Sequence, residues 1–424
     1  MTTAVVSIQD IAEQAAERFA QLGYPSTRNE EWKYTNVAPI ARTHWRTSDP
    51  AVRGWETHDA SMGGRAAVEL VFVNGHLVER TGDDQPGLQV ASLWGGALSA
   101  PGPAKSRPLQ SVIEEHYAKY ADYMRHPFTA LNTANAQDGA VIVADGVIEG
   151  FVHLLFIGEG DEVWSHPRNL IIANRASQLT VVETYVGNGK YFTNAVTEIV
   201  AADGAVVDHT KIVLESRDAF HVGTVQIHQE RSSSVTSRAI TLGGAIVRAE
   251  ANAALAGEGA SLVLDGLFIA NAGQHLDNHT VIEHAKPHCD SIELYKGILD
   301  GDGRGIFDGR IIVQPNAQKT VSRQTNKNLL LSESAIVDSK PTLEILNDDV
   351  KCNHGSTIGQ LDEEALFYLR ARGIGEDEAR SLMIHAFASE IVDRIKVEPV
   401  RELVRRAMFR QMPERLPERR KDVR

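Results

Sequence analysis

The chain has 424 residues, enough for two or three structural units, and a net charge of −13 that disfavours a nucleic-acid partner. Aromatic residues are scarce at 6% and glycine is frequent at 34 residues, which argues against a large aromatic pocket and for many tight turns. Two cysteines exclude a disulfide framework, and neither a signal-peptide core nor a run of about 18 apolar residues appears, so a cytoplasmic protein without a membrane role is expected.

Ser7 to Leu22 reads as an amphipathic helix, with Ile8, Ile11, Ala12, Ala15 and Phe19 on one face. Ser7 is placed to cap it, and Gly23 with Pro25 to end it. The acidic-aromatic segment Glu30 to Tyr34 is expected to dock through Trp32 and Tyr34. Val68 to Val78 reads as strand, turn and strand around Asn74-Gly75. A proline-rich connection, Pro101 to Pro108, leads to a helical Ser111 to Tyr123 with Val112, Ile113 and Tyr117 on one side. These elements make up an N-terminal mixed subdomain, residues 1–138.

From Gly139 the period changes. Short apolar runs at 141–143, 152–157, 179–186, 206–207, 212–214, 225–227 and 262–269 read as strands, separated by Asp-Gly and Gly-Asn turns. The clearest alternation places Val247, Ala249, Ala251 and Ala253 opposite Arg248, Glu250 and Asn252. So many short strands do not fit one open sheet, which leaves a sandwich, a barrel or a solenoid. Small inward residues and the lack of intervening helices favour stacked coils over 139–346, although no strict repeat length is visible. Residues 347–424 form a helical subdomain, with helices at Asp362–Arg372, Glu376–Ile395 and Val400–Met412 and a polar, frayed Arg415–Arg424. From Ile391 onward there are 11 Lys+Arg against 6 Asp+Glu, a basic end suited to an acidic partner or simply to solvent.

The chemistry concentrates between Asp338 and Gly373. A strand through Leu343 and Ile345 is followed by a glycine-punctuated turn carrying Cys352 and His354. Asp362 then caps a helix with Glu363 and Glu364 in its first turn, and Gly373 ends it. A thiolate beside an imidazole can hold iron or zinc, or pass sulfur. Two ligands do not close a tetrahedral site, so a partner chain would have to complete it. The plainer reading is a buried thiol and a hydrogen-bonded histidine. A denser tract holds His275, His279, His284, His288 and Cys289. On extended chain these intervals scatter side chains over both faces, so it reads mainly as architecture, with His284, His288 and Cys289 kept as secondary metal candidates. Gly187-Asn188-Gly189-Lys190 is no phosphate loop, because Tyr191 stands where Ser or Thr is needed and Thr184 where the first glycine is needed. No Gly-x-Ser-x-Gly elbow occurs.

Three motifs taken together, Asp338-Ser339-Lys340-Pro341, Asp349-Val350-Lys351-Cys352-x-His354-Gly355 and Gly359-Gln360-Leu361-Asp362, carry a specific resemblance. With Arg28-Asn29-Glu30-Glu31-Trp32-Lys33-Tyr34-Thr35, the chain resembles the SufD branch of the SufB/SufD family, scaffold subunits of SUF iron–sulfur cluster assembly. The resemblance implies a flattened right-handed β-helix, mainly β, flanked by an N-terminal α/β and a C-terminal helical subdomain. It implies a non-catalytic subunit that pairs with a SufB-like paralogue through the β-helices and binds a SufC-like ABC ATPase through its C-terminal helices. Asp362, Phe367, Tyr368, Met383 and Phe387 are the residues expected to form that dock. The missing phosphate loop fits a division of labour in which another chain hydrolyses ATP. The cargo would be a nascent iron–sulfur cluster, with no cofactor held tightly by the isolated chain, and a homodimer in isolation is left open. His354 maps onto the histidine implicated in cluster formation between the two subunits, with Cys352 beside it. Two other readings stand: a SufB-like subunit accepting sulfur on Cys352 or Cys289, and a β-helix enzyme acting on an acidic polysaccharide.

Overall fold

The computed structural model describes residues 7–47, 59–83, 85–94 and 108–411. The proline-rich connection 101–107 and the tail beyond 411 lie outside the described residues.

Helix α1 (Ile8–Leu22) opens on a reciprocal cap: Asp10 N–H donates to Ser7 Oγ and Ser7 N–H to the Asp10 carboxylate. Short α2 (Ala38–Arg42) follows. Helix α3 (Leu109–His116) stops well before the expected Tyr123. Ala118 turns the chain with φ 55°, and the buried Glu198 carboxylate accepts the N–H groups of Ala118, Tyr120 and Ala121. Helix α4 (Pro127–Asn135) precedes the main strand region.

The strands begin with the hairpin β1 (Val68–Val73) and β2 (His76–Gly82), turning at Asn74-Gly75, then β3 (Leu88–Ser92), β4 (Ala140–Ala144) and β5 (Val152–Glu159). They continue with β6 (Val163–Ser165), β7 (Arg168–Ala173), β8 (Gln178–Asn188), β9 (Tyr191–Ala201) and β10 (Val206–Val213). Next come β11 (Phe220–Gln229), β12 (Ser234–Thr241), β13 (Ile246–Leu255), β14 (Ser261–Ala270) and β15 (His275–His284). The last are β16 (Asp290–Leu299), β17 (Arg304–Val313), β18 (Val321–Leu330), β19 (Ile336–Ile345) and β20 (Lys351–Gly359).

Successive strands alternate between two ten-stranded sheets, so from β7 onward each strand pairs in parallel with the strand two places later. The opposite sheet supplies the crossover that a parallel pair needs, which is why no helices intervene. This is the flattened β-solenoid expected. It exceeds the 139–346 span at both ends, because β1 pairs with β5 and β20 with β18. Cys352 and His354 therefore lie on a strand, not in a glycine turn.

One corner of the solenoid repeats as a column of left-handed residues: Ala176, Gly204, Ser232, Gly259, His288 and Lys319, with φ between 55° and 71°. Each donates its N–H to a carbonyl of the next coil, from Ala176 to Asp203 down to Lys319 to Asp349. The spacing varies and only two of the six are glycine, which hides the period from the sequence. His288, a candidate metal ligand, occupies this exposed corner.

Between the sheets lies the main core, with Leu179, Val207, Val235 and Leu262 in register along one face. The outer face of the β1–β20 sheet is covered by α6 (Glu376–Val392) and α7 (Glu398–Gln411), reached through α5 (Glu363–Ala371). Helix α6 buries Ala379, Ile384, Ala388, Ile391 and Val392. Met383 and Phe387, expected at the dock, are only half-buried. The other sheet is covered by α1, α3 and α4 and by the segment around Trp32.

Candidate functional site

The two sheets end side by side. Strand β19 ends one and β20 the other, and neither has a further strand beyond it among the described residues. At the two ends of β19, Ile336 donates to Gly303 and Leu346 to Val313 of the neighbouring coil, so even-numbered backbone groups are paired inward and odd-numbered ones face the open edge. Pro341 thus removes one free N–H from the middle of that edge, where proline is tolerated. In β20, Lys351 donates to Thr320 of the coil before, so the backbone groups of Cys352, His354, Ser356 and Ile358 face outward.

The same four side chains point between the sheets. They pair in register with the buried Ser322, Gln324, Asn326 and Asn328 of β18. Ser339 of the facing strand hydrogen-bonds Ser356 at 2.8 Å and donates to Asn326 at 2.8 Å. By alternation Pro341 then lies across from His354, and Leu343 across from Cys352. Because this coil is the last, His354 is exposed while Cys352 is half-buried against the core. Burial pushes the Cys352 thiol up, so it is a protonated thiol near neutral pH rather than an activated thiolate.

The second candidate group is dispersed. His284 is buried and shares a 2.9 Å hydrogen bond with Ser291 Oγ, and burial holds its pKa down at about 4. Cys289 is buried, donates to the Gly257 carbonyl at 3.3 Å and is also shifted upward by burial. Among the described residues, no three His, Cys, Asp or Glu side chains converge as a metal site.

Sequence reading missed how the N-terminal motif is held. Arg248 lies 3.8 Å from the Trp32 ring and donates to the Glu31 carbonyl, Asp277 and Glu250. Thr35 Oγ1 donates to Asp277 at 2.5 Å and contacts His275 Nε2 at 2.8 Å. His279 stands 3.0 Å from Asp277. Burial would raise the Asp277 carboxyl, but His279 and Arg248 hold it well below the usual carboxylate range. Lys340 then bridges Glu30 at 3.1 Å and Asp308 at 3.5 Å. Two motifs 310 residues apart therefore meet beside the open edge. The period-2 tract at Val247 was the available signal, since it placed Arg248 outward.

Of the residues expected to form the dock, Asp362, Phe367 and Tyr368 directly follow the last strand. Asp362 caps α5 by accepting from Glu364 and Ala365 N–H. Phe367 and Tyr368 are 73% and 55% exposed. A recess of about 520 Å³ between α5, α6 and the end of β18 is lined by Leu331, Leu361, Leu366, Phe367, Arg370 and Arg380, among others. Phe387 faces inward over Lys296, 4.2 Å from its ring centroid. No helix of the described residues is long and apolar enough to cross a membrane.

A family model described as SUF system FeS cluster assembly, SufBD core domain, matches residues 156–387, and one described as SufBD protein N-terminal region matches residues 2–149. The chain is 29% identical over 405 residues to iron-sulfur cluster assembly protein SufD of Escherichia coli K12, covering 95% of this chain and 92% of that protein. It is 30% identical over 419 residues to an iron-sulfur cluster assembly SufBD family protein of Synechocystis, covering 93% and 89%. Similarity to iron-sulfur cluster assembly protein SufB of Bacillus subtilis is lower, 26% over 307 residues, covering 71% and 66%. With both segments of the chain matched and relatives aligned over nearly its whole length, the chain belongs to the SufBD family of SUF iron–sulfur cluster assembly proteins.

Proposed function

We propose that this chain is a SufD-like scaffold subunit that pairs with a SufB-like paralogue along the open ends of β19 and β20, with His354 at the interface where a nascent iron–sulfur cluster forms. The observation that supports it most is the coincidence of an unpaired edge and two ligand-type side chains on one strand. The outward backbone groups of β20 offer a partner strand its hydrogen bonds, and Cys352 and His354 sit among them. Two ligands from this chain leave the remaining positions of a cluster to the partner. Exposed Phe367 and Tyr368 beside the α5–α6 recess suit a docked ATPase. Both thiols are raised by burial, which favours a scaffold role over a sulfur-accepting one.

The test is anaerobic co-expression with SufB-type and SufC-type partners, comparing the wild type with His354→Ala. The complex should be recovered equally in both, with complex-bound iron and sulfide falling about tenfold in the variant. Unchanged iron in an intact complex would make His354 structural. Phe367→Glu combined with Tyr368→Glu should release the ATPase while the paralogue is retained; retention of both would move the dock elsewhere.

A further inference from the structure

The groups behind His354 form a file. In the interior of the β1–β20 sheet, Leu264, Glu293, Gln324 and His354 follow one another in strict register, about 4.8 Å apart, on β14, β16, β18 and β20. Glu293 and Gln324 are fully buried, with 1% and 0% exposure. Gln324 Nε2 donates to Glu293 Oε2 at 2.7 Å. That bond commits the amide nitrogen to the coil before and leaves Gln324 Oε1 buried without a hydrogen-bond partner. The facing strand makes room for this amide. At Gly309 of β17, a Cβ would stand 2.4 Å from Gln324 Nε2. A buried carbonyl oxygen without a donor is costly, and the next side chain in the file is an imidazole with an N–H to give.

We propose that Gln324 is the positioning residue of His354: Glu293 holds its amide so that Oε1 accepts one ring N–H of His354, which leaves the lone pair of the other ring nitrogen facing the open edge. Histidines that bind metals are held by a donor bond from their second nitrogen, and this pairing supplies it from inside the solenoid. The arrangement also explains why two polar side chains follow the apolar Leu264 in the interior file. Burial raises the Glu293 carboxyl to about 7, and in either protonation state Oε2 can accept from Gln324. The assignment deepens the proposed function, but the orientation of the ring is measurable without it.

The test is side-chain nitrogen NMR on the full chain labelled with ¹⁵N-histidine, at a pH where imidazole is neutral, with the His354 signals assigned by His354→Gln. In the wild type, the two ring nitrogens should show widely separated shifts, one protonated and one bare. Gln324→Met keeps the length and removes the acceptor, and should draw the two shifts together as tautomers exchange. Glu293→Gln still accepts from Gln324 and should keep them apart. Averaged shifts in the wild-type chain itself, or a Gln324→Met spectrum unchanged from wild type, would overturn the proposal. The co-expressed complex separates this from the function above. Collapsed shifts with full iron in both Gln324→Met and His354→Ala would uphold the positioning and sink the cluster role. Unchanged shifts in Gln324→Met, with iron lost only in His354→Ala, would do the reverse.

Discussion

Glu293 is the interior carboxyl whose environment opposes its charge most clearly. Buried between the sheets, it receives one hydrogen bond from Gln324 and sits at about 7 against an ordinary value of 4.5. Folding therefore favours its protonated form, so its stabilising contribution is full below pH 4.5 and is lost as pH rises through 7. Glu293→Gln should match the wild type near pH 4.5 and exceed it by up to about 3 kcal/mol above pH 7. Chemical denaturation across that range reads the difference, and parallel curves would refute it. Glu183 behaves oppositely. Burial would raise it, but His209 at 3.0 Å and Lys211 hold it at about 2, so its contribution is lost only as pH falls below its ordinary value. The residue scale also shows why some candidates were legible and others were not. Cys352 and His354, two apart on extended chain, do share a face. His288 looked like a ligand by its neighbours in sequence, yet its φ of 59° makes it a corner of the coil.

At the scale of the element, strand β20 has two non-equivalent sets of backbone groups. Thr357 belongs to the parity bonded to β18, whereas Ile358, 52% exposed, belongs to the parity facing outward. Proline removes an N–H in either case, with different consequences. Ile358→Pro should leave the thermal midpoint of the isolated chain near wild type and weaken recovery of the SufB-type partner about tenfold. Thr357→Pro should lower the midpoint itself. If the two substitutions act alike on stability and pairing, partner docking does not use this edge. Helix boundaries followed local rules where caps were present. Ser7 and Asp362 both cap as their residue types suggest. Helix α3 did not follow them, because Glu198, 80 residues away, captures the N–H groups that would have extended it.

For the whole molecule, the solenoid is bracketed by segments that cover its outer faces, and Arg248 joins the N-terminal one to it. Its guanidinium neutralises Asp277 and Glu250 and covers Trp32, with 2% of its own surface exposed. Arg248→Met keeps the stacked bulk and leaves the buried Asp277 and the part-buried Glu250 with fewer partners, so a loss of about 3–5 kcal/mol is expected. Limited proteolysis should then cut first near Glu30 to Thr35; an unchanged unfolding curve would show that the segment docks by its apolar contacts alone.

The sequence by itself determined the class of the molecule: many short strands without helical crossovers, a helical end, two reduced cysteines and a set of motifs specific enough to indicate a family. Those properties are local, set by strand alternation, capping chemistry and composition. Only the tertiary structure decided where the coils begin and end, because register passes between strands about 30 residues apart and the interior admits polar residues such as Asn278, Glu293 and Gln324 that mask the alternation. It also decided that Glu30 meets Lys340 and that His354 ends a file of buried polar groups at an open edge. Contacts between coils are set by stacking, and stacking has no fixed interval in the chain for a sequence period to reveal.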